Sequence, residues 1–441
     1  MASSDGTLSG TKIGTRGIGY LRRIVDNELD ELMPALPAIV LEGAKGVGKT
    51  ASATRRAATV HLLDMPAQLA VALADPGRLV AAAPPILIDE WQRLPESWDL
   101  VRRAVDDDGA PGRFLLTGSA SPNSAPVHSG AGRIVTLRVR PLTLAERGVG
   151  VPTVSLADLL SGQKPAITGG TDIGLEDYVD EILASGLPGL RNLTGRALRL
   201  ALDGYLDRII EREFREMGHV VRNPTALRAW MTAYAAMVSS TATYEAIRAA
   251  ATGGHGDKPS RPAVQPYIDV LQRLWILEPV PAWLPSKNYV SRLGQAPKHQ
   301  LADPAFAARL LKLDADALLE RRFAAVPAPR DGVMLGALFE SLVTLSVRVY
   351  AQAVEASVLH LRTREAYGRE IDLVVRRPDG RVLGIEIKLA RTIGDHDVRH
   401  LLWLRDRIGD DLLDMVVVTT GPDAYRRKDG VAVVPLALLG A

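Results

Sequence analysis

The 441-residue chain contains no cysteine, which excludes a disulfide framework and any zinc site built on thiolates. That absence fits a reducing cytoplasm, the expected location. No apolar run approaches the length of a membrane span, and Met1 to Gly10 lacks a basic segment followed by an apolar one. Neither secretion nor membrane insertion is therefore expected. Charge of one sign is in short supply too: the formal net charge is +2, so no global field marks a nucleic-acid partner. Lysine is sparse, ten of 53 basic residues, and with the abundant Ala and Val this reads as genomic base-composition bias. What remains, 47% apolar and 24% charged residues, is an ordinary globular composition over a length that suits about three domains.

Phosphate chemistry is written into one run. Gly43-Ala44-Lys45-Gly46-Val47-Gly48-Lys49-Thr50 follows the apolar stretch Ala38-Ile39-Val40-Leu41 and precedes a helix-compatible segment. Strand, glycine-rich turn and helix are the context a P-loop requires. The glycines let backbone N–H groups close around phosphate oxygens, and the helix N-terminus adds partial positive charge. Lys49 is expected to reach the β- and γ-phosphates and the Thr50 hydroxyl to ligate Mg²⁺, which makes ATP the expected ligand.

Apolar runs at Val60–Leu63, Pro85–Ile88, Arg113–Leu116 and Ile134–Leu137 alternate with helical patterns, as in a parallel α/β sheet covered on both faces. Residues 1–19 are expected to be a mobile tail, 20–150 the ATPase core, and 150–172 a Gly/Pro/Ser/Thr-rich linker. A helical segment over 173–225 and a winged helix-turn-helix over 226–300 follow. In the latter, Pro262 to Leu274 is the recognition helix, offering Arg261, Gln265, Gln272 and Arg273, with a strand at Trp275–Leu277. Asp269 on that helix would repel phosphate.

Ile86-Leu87-Ile88-Asp89-Glu90 ends an apolar strand in two carboxylates, as a Walker B element does. Asp89 would hold Mg²⁺ and Glu90 would polarise the attacking water. Leu115-Leu116-Thr117-Gly118-Ser119 ends the next strand in small polar groups, of which Ser119 is the favoured sensor of the γ-phosphate. Together with Gly132-Arg133 and Arg140-Pro141-Leu142-Thr143, these segments resemble the bacterial and archaeal AAA-type ATPases that carry a DUF4143 C-terminal region. The resemblance implies that Arg133 stabilises charge on the transferring phosphoryl group, in cis or from a neighbouring copy, the latter requiring a homo-oligomer.

In the last unit, over 331–441, Glu340 precedes Arg369-Glu370-Ile371-Asp372-Leu373-Val374 and Leu383-Gly384-Ile385-Glu386-Ile387-Lys388. This order resembles the PD-(D/E)xK nuclease core. That resemblance implies Mg²⁺ on Asp372 and Glu386, with Lys388 orienting or activating water at a phosphodiester. Glu386 and Lys388 would share one strand face. His396 and His400 read as surface residues. The expected function is an Mg²⁺-dependent, ATP-hydrolysing AAA-type protein that couples turnover to DNA binding or processing. Two alternatives are a nucleotide switch for protein partners with an inactive nuclease-like scaffold, and a DNA nuclease regulated by ATP.

Overall fold

A computed structural model describes residues 19–119, 130–251, 259–285, 296–319, 332–363 and 368–441. The expected tail, up to residue 18, and part of the loop before Pro262 lie outside the described residues. β1 (Ala38–Glu42), β2 (Thr59–Leu62), β3 (Ile86–Asp89), β4 (Phe114–Gly118) and β5 (Ile134–Arg138) form one parallel sheet in the order β2-β3-β4-β1-β5. Side chains alternate along each strand, so β1, β3, β4 and β5 each feed two cores. Ala38, Val40, Ile88 and Phe114 enter one, while Ile39, Leu41, Leu87 and Leu137 enter the other. Helices α1 (Ile24–Leu32), α2 (Lys49–Thr54), α3 (Pro66–Ala74), α4 (Arg78–Ala81) and α5 (Glu96–Asp107) belong to this unit. Trp98 and Val101 of α5 close the first core, and the second runs on into the rest of the chain. Because all five strands are parallel, their C-terminal ends share one edge, the edge at which open α/β sheets bind ligands.

The segment expected to be a linker is instead part of the C-terminal architecture. β6 (Val154–Ser155) pairs in parallel with Leu439–Gly440, and β7 (Gly169–Gly170) pairs with Asp423–Arg426. Turn-forming composition sets local flexibility but says nothing about a distant pairing partner. The helical region follows as α6 (Leu156–Leu160), α7 (Leu175–Leu183), α8 (Gly195–Arg208), a π-helical turn Ile209–Glu213, α9 (Phe214–Glu216), α10 (Pro224–Ala236), α11 (Tyr244–Ala250) and α12 (Arg261–Arg273). The strand expected at Trp275–Leu277 is reduced to isolated bridges, Leu277 with Leu301 and Val280 with Lys298. Trp275 has φ of 61°, which breaks the extended run.

After α13 (Pro304–Leu310) and α14 (Ala315–Leu318), α15 (Gly332–Gln352) leads into β8 (Ser357–Arg362), β9 (Glu370–Arg376), β10 (Val382–Lys388), α16 (Asp395–Ile408), β11 (Leu412–Thr419), β12 (Asp423–Arg426) and β13 (Ala432–Pro435). These strands and β7 make a mixed sheet in the order β7-β12-β13-β11-β10-β9-β8. Leu338, Phe339, Leu342 and Val343 of α15 share a core with Leu383, Ile385, Val416 and Val418 of the sheet. Val333–Gln352 is long and apolar enough, by length and composition alone, to cross a membrane, with Glu340 and Arg348 interrupting its apolar run. About two-thirds of this stretch is buried inside the fold, as in a core helix.

Candidate functional site

The P-loop leaves the sheet after Glu42, and its glycines answer to steric demands. Gly46 and Gly48 have φ of 80° and 101°, a region side-chain-bearing residues avoid. At Gly43 a Cβ would lie 2.2 Å from the Val139 carbonyl oxygen, so the loop packs directly on the backbone that follows β5. The Lys49 side chain is buried, and its Nζ donates to the Gly43 and Ala44 carbonyls at 2.8 and 3.0 Å. Burial pushes its ammonium down to about 8, against the pull of Glu90.

The other edge residues converge as the sequence anticipates. The Thr50 hydroxyl donates to Asp89 Oδ1 at 2.7 Å, and the Thr117 hydroxyl donates to the same oxygen. Burial raises the Asp89 carboxyl, while the two hydroxyls oppose that rise. Glu90 leaves β3 with φ of 54° and accepts from Ser119 Oγ at 2.9 Å and from the Gln92 side-chain amide. A hydroxyl beside a single carboxylate is a donor set suited to Mg²⁺, which takes few protein oxygens and fills the remainder with phosphates and water.

The loop also holds on to the helical region. Lys45 Nζ lies 2.6 Å from Glu213 of the π-helical turn and 3.5 Å from Glu216, and the Tyr205 hydroxyl donates to the Lys45 carbonyl at 3.0 Å. No sequence pattern signalled these three partners.

Arg133 is not brought to this edge. It precedes β5, whereas the P-loop follows the parallel strand β1, so the two lie at opposite ends of strands about 17 Å long. Its guanidinium pairs with Asp106 at 2.8 Å. Arg138, at the far end of the same strand, does reach the P-loop edge, in register with Glu42. Strand direction alone distinguishes these two arginines and was the signal available for Arg138.

A second polar cluster joins α15, β9 and β10. Fully buried Lys298 places Nζ 2.9 Å from Glu340, 3.2 Å from Asp372 and 3.4 Å from Glu370. Asp372 Oδ2 also accepts from the Ile387 N–H at 2.9 Å, and Lys388 pairs with Glu386 at 2.6 Å. His400, expected at the surface, lies 3.8 Å from the other Glu386 oxygen. Burial and the neighbouring Asp372 push Glu340 and Glu386 up to about 8. Burial works against Asp372 as well, but Lys298 and Lys388 hold it below the usual carboxylate range. Asp372 thus faces the Lys298 ammonium while Glu386 faces Lys388, and no group of three or more His, Cys, Asp or Glu among the described residues is arranged to hold a metal ion.

Polar residues of α12 have local partners. Arg261 pairs with Glu245 at 3.3 Å, and Gln265 donates to Asp269 at 2.8 Å.

Comparison with known proteins matches residues 36–147 to the family described as AAA domain. Residues 175–317 match a domain of unknown function, DUF8612, and residues 335–439 another, DUF4143. Uncharacterized proteins of Mycobacterium tuberculosis (Rv2008c) and Mycobacterium bovis (Mb2031c) are each 26% identical over 424 residues, spanning 94% of this chain and 83% of their own. The Walker-type ATPase of Pyrococcus abyssi superposes with a TM-score of 0.37 at 17% identity, covering 65% of this chain and 94% of its own. The first unit is therefore an AAA-type P-loop domain of the ATP-binding kind, and the last is a DUF4143 domain.

Proposed function

We propose that this chain binds ATP with Mg²⁺ and hydrolyses it at the edge formed by Gly43–Thr50, Asp89, Glu90 and Ser119, and that turnover moves its helical region instead of cutting nucleic acid. One observation carries the reading: a buried lysine, a hydroxyl–carboxylate pair at 2.7 Å and a carboxylate held by Ser119 meet at one sheet edge. Loop N–H groups and Lys49 would bind the phosphates. Thr50 and Asp89 would hold Mg²⁺, which would supply charge neutralisation for the bound phosphates. Glu90 would orient the water whose oxygen bonds to the γ-phosphorus while the bond to the ADP oxygen breaks. Ser119, now bonded to Glu90, would exchange that partner for a γ-phosphate oxygen and so free the carboxylate for the water. Arg133 would serve only the site of a second copy. Through Lys45, Glu213 and Tyr205, a change in the loop would pull directly on the helical region.

Glu90→Gln tests this reading. ATP binding is expected to stay within about threefold of wild type while phosphate release falls roughly 100-fold or more. Undiminished turnover in that variant would remove Glu90 from the mechanism.

Engagement of Arg261 by Glu245, with Asp269 on the same helix, favours a protein partner over duplex DNA, whose phosphates demand a cationic surface. The ammonium of Lys298 among Glu340, Glu370 and Asp372 favours a scaffold over a nuclease. Supercoiled plasmid incubated with the protein in Mg²⁺ or Mn²⁺, with or without ATP, is accordingly expected to remain uncut. Nicking that disappears in Lys388→Ala would restore the nuclease reading.

A further inference from the structure

Arg138 is positioned by its backbone. It stands in β5 beside Glu42, the residue immediately before the P-loop. Its neighbour Val139 donates its N–H to the Glu42 carbonyl at 2.8 Å, and the Val139 carbonyl is the group against which Gly43 packs. The start of the phosphate loop and the end of β5 are therefore fixed to each other.

The side chain is less fully accommodated. Its guanidinium lies over the Trp275 ring, 3.4 Å from the centroid, and its Nε and Nη1 are buried with no hydrogen-bond partner among the described residues. Buried guanidinium donors are ordinarily satisfied, so two open ones mark a missing acceptor. The nearby carboxylates do not supply it. Glu278 is taken by Arg140, with contacts of 2.7 to 3.2 Å, and is approached by Arg348 at 3.6 Å. Glu42 makes no ion pair with Arg138. Glu42 and Glu28 offset part of the charge of the three arginines, but neither accepts from the Arg138 guanidinium, and its open donors lie beside a loop built to bind an anion. Burial holds Arg138 down to about 9. Burial is also the main cause of the low Lys49 value, with the charge of Arg138 adding to it, which places the two cations in one field.

We infer that Arg138 donates one of its open N–H groups to the terminal phosphate of a triphosphate bound on its own chain, an assignment that rests on the ATP-binding reading above. The choice of the terminal phosphate follows from Lys49, which would reach the β- and γ-phosphates and whose Nζ lies on the Gly43 and Ala44 carbonyls, at the same end of the loop. Trp275 keeps the guanidinium plane fixed, so the donor is already oriented when the phosphate arrives.

The test is equilibrium binding of fluorescent ATP and ADP analogues together with steady-state hydrolysis, on wild type, Arg138→Gln and Arg138→Lys, each checked by thermal melting. Arg138→Gln is expected to weaken ATP about tenfold or more, leave ADP within about twofold, and lower kcat roughly 100-fold. Arg138→Lys keeps the charge without the planar guanidinium and should fall between. It carries the same comparison if the glutamine variant fails to fold. Unchanged ATP binding, or equal weakening of ATP and ADP, in a variant that melts like wild type would overturn the assignment alone. A wild type that binds neither nucleotide would overturn the ATP reading and this inference with it.

Discussion

Lys49→Ala is expected to weaken ATP binding by about 100-fold or more and to reduce turnover to background. The ammonium is buried and donates to two loop carbonyls, so the free protein already holds it where phosphate oxygens would replace those carbonyls. A hydrogen bond to a charged group contributes about 1.5–3 kcal/mol, and losing two such bonds to phosphate accounts for the expected magnitude. The pH dependence has a definite sign. The free protein loses the Lys49 proton around pH 8, below the ordinary lysine value of 10.5, so ATP affinity should decline as pH climbs past about 8. Protein stability moves the other way. A depressed lysine means that the folded state binds fewer protons, so this group's contribution improves from about pH 8 towards 10.5. Lys49→Ala should therefore lose nucleotide without losing its melting temperature at pH 7. Isothermal titration across pH, paired with melting curves, separates the two effects. A variant that keeps ATP, or loses it only by unfolding, would count against the site.

Parts of this site were legible because their chemistry is local. The loop from Gly43 to Thr50 is contiguous, and its left-handed glycines are a backbone requirement that only a few residue types meet. Asp89, Glu90 and Ser119 end neighbouring strands of a parallel sheet, so the pattern of apolar runs carried them to the same edge. Parallel direction also contained the information that separates Arg133 from Arg138, since a residue before a strand and a residue at its end lie at opposite edges. Other features had no local signature. Lys298 stands 42 positions from Glu340 and 74 from Asp372, in a segment without a motif, and only tertiary packing brings them together. β6 and β7 look like turn-rich linker because two-residue strands borrow their stability from the chain they pair with. The tie from Lys45 to Glu213 spans 168 positions and joins two of the matched domains, a relation that no periodicity within either could express.

Lys298→Ala is expected to lower stability by about 3–5 kcal/mol at neutral pH, the usual cost of removing one partner from a buried ion pair. Glu340 and Asp372 would be left facing each other across the vacated volume with Glu370 at its rim. In wild type, Asp372 is held low, so its contribution is present above the ordinary aspartate value and lost as pH falls. Glu340 behaves oppositely: held at about 8, it costs stability as pH rises from 4.5 towards 8. Without the ammonium both carboxyls belong to the second class. The deficit of Lys298→Ala should therefore be small near pH 5 and grow towards pH 8. Adding Glu340→Gln to that variant should recover part of the loss by removing one of the two facing charges. Mn²⁺ should raise the melting temperature of Lys298→Ala and leave wild type unmoved if an ammonium and a divalent cation compete for one place. Denaturant melts at pH 5 and pH 8, with and without Mn²⁺, decide each point. A flat pH response would mean that the three carboxylates are not coupled through Lys298. Mn²⁺ stabilisation of wild type would mean that the lysine does not keep the metal out.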